Sequence, residues 1–105
     1  MPYIFIKSRY PSHKIDELLK KNLEVVPKYP PNPSLGETVV SATKADGQGI
    51  VSLSIYEVKK GKFDEAMDLW VKGQMEFRNI EGYEFSIETW VTAAEAFAAI
   101  GMTPP

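Results

Sequence analysis

At 105 residues and 44% hydrophobic content, the chain is long enough to bury one core and too short for two ordinary domains. Its formal charge of −2, from 14 acidic against 12 basic residues, offers no broad positive field, so neither nucleic acid nor an anionic membrane is expected as a partner. The absence of cysteine excludes disulfides, thiolate metal sites and cysteine nucleophiles.

The N-terminal stretch is apolar but interrupted by Lys7 and Arg9, so it matches neither a secretory h-region nor a membrane span. One cytoplasmic domain is the expectation. Pro2 to Ser8 sets Tyr3, Phe5 and Lys7 against Ile4, Ile6 and Ser8, the period of a first strand. After Tyr10-Pro11-Ser12, the recurrence of Ile15, Leu18, Leu19, Leu23 and Val26 predicts an amphipathic helix. Asp16 with Lys20 and Glu17 with Lys21 fill its opposite arc and read as a solvated face. Pro27, Pro30, Pro31 and Pro33 then impose a stiff, partly extended connector.

Glu37 to Lys44 and Ile50 to Val58 are β-rich runs joined by Ala45-Asp46-Gly47-Gln48-Gly49, whose Asp-Gly step supplies the positive φ of a hairpin turn. A second amphipathic helix follows over Lys62 to Asn79, with Phe63, Ala66, Met67, Trp70, Val71 and Phe77 as its stripe. Leu69 and Met75 fall outside that stripe, as exposed residues or a second contact surface. Tyr83 to Val91 alternates as a fourth strand. Thr92-Ala93-Ala94-Glu95 fits a capping box for a short helix through Ile100, with Gly101 suited to the left-handed C′ position and Pro104 and Pro105 blocking continuation.

The strand phases predict one apolar side, Ile4, Ile6, Val51, Leu53, Ile55, Phe85 and Ile87, facing the two helices. The other side then carries Tyr3, Phe5, Lys7, Ile50, Ser52, Ser54, Tyr56, Glu84, Ser86, Glu88 and Trp90. Four large aromatics there exceed what a monomer ordinarily exposes, so a second copy of the chain, or a ligand, is expected to cover them.

The element order, β-α-β-β-α-β, and the segment Phe77-Arg78-Asn79-Ile80-Glu81-Gly82-Tyr83-Glu84-Phe85, a glycine ahead of an alternating strand, resemble the dimeric α/β-barrel superfamily. That resemblance spans nearly the whole chain. It implies an α+β, ferredoxin-like βαββαβ fold: a four-stranded antiparallel sheet with two helices on one face, here with a short extra C-terminal helix. It also implies subunits packed sheet to sheet. The superfamily holds cofactor-independent monooxygenases, haem-degrading enzymes and lactone isomerases, so the fold constrains function weakly. The haem-degrading branch places a ligating histidine on its second helix, and Lys62 to Asn79 has none, so no haem or other cofactor is expected.

His13, the single histidine, reads as an exposed residue in the first turn of helix one. No ligand spacing supports a metal. The residues picked out for ligand binding or for an interface are Tyr3, Phe5, Lys7, Tyr56, Glu88 and Trp90. Within that set Lys7, Tyr56, Glu88 and Trp90 either orient a ligand or form a subunit contact in which Lys7 pairs with Glu88. Asn22 and Gln74 interrupt the helical stripes and either bond one another or lie at solvent-lapped ends. The expectation is a homodimer or higher homo-oligomer with a structural, self-assembly or small-ligand-binding role. The alternative is a cofactor-independent monooxygenase- or isomerase-like enzyme acting on an aromatic or unsaturated acid.

Overall fold

The computed structural model describes residues 2–102. Strand β1 (Tyr3–Tyr10) leads to helix α1 (Ile15–Val25), then to strands β2 (Gly36–Asp46) and β3 (Gly49–Val58). Helix α2 (Phe63–Met75), strand β4 (Glu84–Trp90) and helix α3 (Ala93–Ala99) complete the order. Pro104 and Pro105, expected to block α3, lie outside the described residues. All strand pairs are antiparallel and the sheet order is β2-β3-β1-β4, which is the ferredoxin-like α+β fold.

Local chemistry accounts for several boundaries. Single 3₁₀ turns at Ser12–Lys14, with exposed His13, and at Val26–Lys28, which contains Pro27, flank α1. The hairpin between β2 and β3 turns differently from the Asp-Gly reading: positive φ falls on Gly49 (137°), not Gly47. Asp46 Oδ1 accepts the Gln48 N–H at 2.9 Å and holds the turn, so no left-handed residue is needed at position 47. A Cβ at Gly49 would run into the Tyr10 carbonyl oxygen. At α3 the capping box forms as expected, with Glu95 N–H donating to Thr92 Oγ1 at 3.0 Å and Thr92 N–H to Glu95 Oε1 at 3.1 Å. Gly101 (φ 73°) closes the other end, with Met102 N–H on the Phe97 carbonyl and Gly101 N–H on that of Ala98.

Strand registers settle which side chains share a face, because directly opposed residues in an antiparallel pair point the same way. Ile4 faces Tyr56 and Thr89, and Ile6 faces Ser54 and Ile87. This is the helix-covered side, and here the expectation for β3 is overturned. Ile50, Ser52, Ser54 and Tyr56 lie under the helices, while Val51, Leu53 and Ile55 point away with Tyr3, Phe5 and Lys7. The pairing of Ile4 and Ile6 fixes the phase of β3 against its own hydrophobic preference, since a shift by one residue would turn every side chain over.

The helices also differ from their stripes. Ile15, Leu19, Leu23 and Val26 of the first stripe are exposed, Leu23 to 77%, and only Leu18 and Val25 turn inward. The charged arc of α1 forms Lys14–Glu17 and Lys21–Glu24 pairs in place of those at i,i+4. Leu69 of α2 packs on the core, whereas Val71 and Met75 are exposed. The core divides into two clusters: Ile4, Ile6, Leu35, Tyr56, Val58 and Ala66 under α2, and Val25, Phe77 and Ile80 where the C-terminal ends of α1 and α2 approach. Leu35, at the end of the proline-rich connector, joins the first cluster; an Asn32 side-chain turn, accepting from Ser34 N–H and Oγ–H, delivers it into the core.

The radius of gyration is 15.6 Å, against about 13 Å for a compact domain of this length. A long hairpin and a sheet with one open side account for the difference.

Candidate functional site

The uncovered sheet face is built in rows across β2, β3, β1 and β4. One row holds Val40, Ile55, Phe5 and Glu88, and the next Ala42, Leu53, Lys7 and Ser86. Tyr3 and Trp90 close one end, where Phe5 and Trp90 stack with centroids 5.0 Å apart. Lys7 Nζ lies 3.5 Å from Glu88 Oε1, and Trp90 Nε1 donates to that same oxygen at 3.2 Å. Of the six residues picked out from sequence, Tyr3, Phe5, Lys7, Glu88 and Trp90 are therefore together. Tyr56 is not among them; its ring lies on the far side of the sheet.

At the hairpin end of this face Arg9 grips Asp46 through two bonds, Nη1 to Oδ1 at 3.0 Å and Nη2 to Oδ2 at 3.1 Å. That contact, with the Gln48 N–H, holds the Asp46 carboxyl down at about 2. At the opposite end the Glu57 carboxylate raises the Tyr3 phenol above its ordinary value. The face is thus apolar across β2 and β3, carries one ion pair, Lys7–Glu88, between β1 and β4, and is charged at both ends, a mixture common in protein–protein interfaces.

A second feature lies on the helix-covered side. Between the two core clusters a cleft of about 600 Å³ opens, walled by Val25, Tyr29, Tyr56, Trp70 and Phe77. Tyr56 is 7% exposed, and burial raises its phenol, so the hydroxyl stays protonated at neutral pH. No hydrogen bond joins that hydroxyl to another described residue. The Tyr56 ring meets Trp70 edge to face at 5.5 Å, and a Cβ on Gly36 would strike it, so glycine at that position admits the ring. The Trp70 indole N–H is buried and has no acceptor among the described residues.

Asn22 and Gln74 both line this cleft but do not bond one another. Gln74 Oε1 accepts from the Tyr83 hydroxyl instead, which leaves the amide nitrogen without a described partner. At the rim, Glu76 receives Tyr29 Oη at 3.0 Å and Lys28 Nζ at 3.3 Å, and these contacts lower its carboxyl. The sequence carried a signal for the cleft, amides breaking two apolar stripes, but nothing in it said that the stripes would stand apart. Among the described residues no cluster of histidine, aspartate and glutamate fits a metal ion, and no helix is long and apolar enough to cross a membrane.

No protein-family model matches the chain, and no curated protein matches it. Among solved structures it is similar to the de novo designed protein Foldit4, with a TM-score of 0.52 at 17% identity, over 87% of this chain and 97% of the other. At that identity the likeness concerns the fold alone.

Proposed function

We propose that the chain is a self-associating module whose open sheet face is covered by a second copy, in the cytoplasm and without a resident cofactor. One observation carries the reading. The chain exposes 6995 Å², where a compact monomer of its mass exposes about 5,900 Å². The surplus, roughly 1,100 Å², is of the order that each partner of a stable interface removes from water, about 800 Å².

The composition of the open face supports the same reading. Strand β3 turns its more apolar side, Val51, Leu53 and Ile55, away from the helices. An isologous contact through this face would bury those side chains with Phe5, Trp90 and the Lys7–Glu88 pair between them, and would leave Arg9 and Asp46 near the margin. Exposed leucines along α1 leave room for assembly beyond a dimer.

The enzyme alternative loses the constellation on which it rested, because the sheet separates Tyr56 from Lys7 and Glu88. Sedimentation velocity at micromolar concentration tests the proposal. The wild-type chain should sediment as a dimer or larger species, and Leu53→Lys, which places a charge at the centre of the face, should sediment as a folded monomer. A monomeric wild type overturns the reading.

A further inference from the structure

We propose that the cleft between α1 and α2 binds an uncharged aromatic molecule bearing one hydroxyl or carbonyl oxygen, held by the Tyr56 hydroxyl and the Gln74 amide. This site lies across the sheet from the self-association face and does not depend on it.

Four observations converge. First, the core is split, and the gap of about 600 Å³ between its clusters falls within the range of about 300–1,000 Å³ typical of small-molecule sites. Second, Tyr29, Tyr56, Trp70 and Phe77 give it aromatic walls on which a planar ring can stack or pack edge-on. Third, some of its polar groups have no described partner. Tyr56 is 7% exposed, and its hydroxyl, which still reaches solvent, has no described partner; nor has the amide nitrogen of half-buried Gln74, while the Trp70 indole N–H on the same wall is buried with no acceptor among the described residues. Unpartnered polar groups on an apolar wall favour a ligand that completes their hydrogen bonding.

Fourth, Gly73 sits in the last turn of α2 on the cleft wall, with ordinary helical backbone and nothing within 4 Å of where a Cβ would stand. Glycine weakens a helix relative to alanine, and neither a positive φ nor close packing calls for it here. Its effect is to keep the space open. Charge then restricts the ligand. The wall carries no lysine or arginine to neutralise a carboxylate, and Glu37 at its exposed edge repels anions. The aromatic or unsaturated acid expected from sequence is therefore disfavoured in this cleft, and a neutral phenol or aryl ketone fits it.

Calorimetric titration of the full chain with 2-naphthol, and with 2-naphthoate as the charged counterpart, tests the assignment. One 2-naphthol should bind per chain, with 2-naphthoate at least about tenfold weaker. Tyr56→Phe should weaken 2-naphthol about two- to tenfold, the worth of one hydrogen bond. Gly73→Leu fills the cleft without a backbone clash and should abolish binding while circular dichroism shows an intact fold. Lys60→Ala, exposed on the turn after β3 and outside the cleft wall, should leave affinity unchanged. Absence of 2-naphthol binding up to its solubility limit, equal affinity for 2-naphthoate, or unaltered binding in Tyr56→Phe or folded Gly73→Leu overturns the proposal; so does loss of binding in Lys60→Ala.

Discussion

The Trp90 indole lies on the Phe5 ring with planes inclined by 25° and centroids 5.0 Å apart, on the side of the sheet that neither α1 nor α2 covers. Trp90 is nonetheless 51% exposed. An aromatic pair in offset stacking, locked by the Trp90 N–H on Glu88, is a rigid apolar anchor that binding would not need to order.

If that pair anchors self-association, its removal should act mainly on the dimer. Trp90→Ala is expected to raise the dissociation constant at least about tenfold, in the range of an interface hot spot, with little change in the far-ultraviolet circular dichroism of the monomer. Concentration-dependent sedimentation measures the first, and circular dichroism below the dissociation concentration the second.

Ile4 and Leu23 both read as core residues, yet Ile4 is fully buried and Leu23 is 77% exposed. Ile4→Ala should cost about 2–5 kcal/mol, since it removes packed methylenes and leaves a cavity. Leu23→Ala should stay within about 0.5 kcal/mol in the monomer. Urea unfolding of the two variants distinguishes them, and equal losses would contradict an α1 rotated so that Leu23 faces solvent.

The Asp46 carboxyl, held at about 2 by Arg9 and the Gln48 N–H, makes the hairpin acid-sensitive in a defined window. A carboxyl depressed on folding contributes stability above its unfolded value, near 3.8, and that contribution is lost as pH falls from there through about 2. Carboxyl chemical shifts should give Asp46 a midpoint near 2 in the wild type. Arg9→Ala should move that midpoint upward; no movement would place the cause elsewhere.

Thr92→Ala removes the oxygen that accepts the Glu95 N–H. Loss of such a cap costs about 0.5–2 kcal/mol, but α3 has no buried residue to couple it to the core. The loss should therefore appear as faster amide exchange at Glu95 and Ala96, with the thermal midpoint of the sheet unchanged. A lowered global midpoint would mean that α3 is coupled to the core after all.

Local chemistry was legible wherever the causes lie within a few residues. The capping box at Thr92, the left-handed Gly101 and the alternation of β1 and β4 all depend on neighbours in sequence, and each matches the structure. The candidate site was legible in part: Tyr3, Phe5, Lys7, Glu88 and Trp90 share a face because β1 and β4 were phased correctly.

Tyr56 shows where such reading ends. In the run Ile50-Val51-Ser52-Leu53-Ser54-Ile55-Tyr56 the more apolar phase is Val51, Leu53 and Ile55, and hydrophobicity alone turns it inward. Pairing of β3 with β1 places it outward instead. Alternation reports that a face is apolar without reporting whether a helix or another surface is there to cover it. The sequence by itself determined the elements, their order and their caps, since these follow from contacts a few residues apart. Only the tertiary structure decided the face of β3, the rotation of α1 and the cleft beside Gly73, because each depends on how surfaces distant in sequence meet.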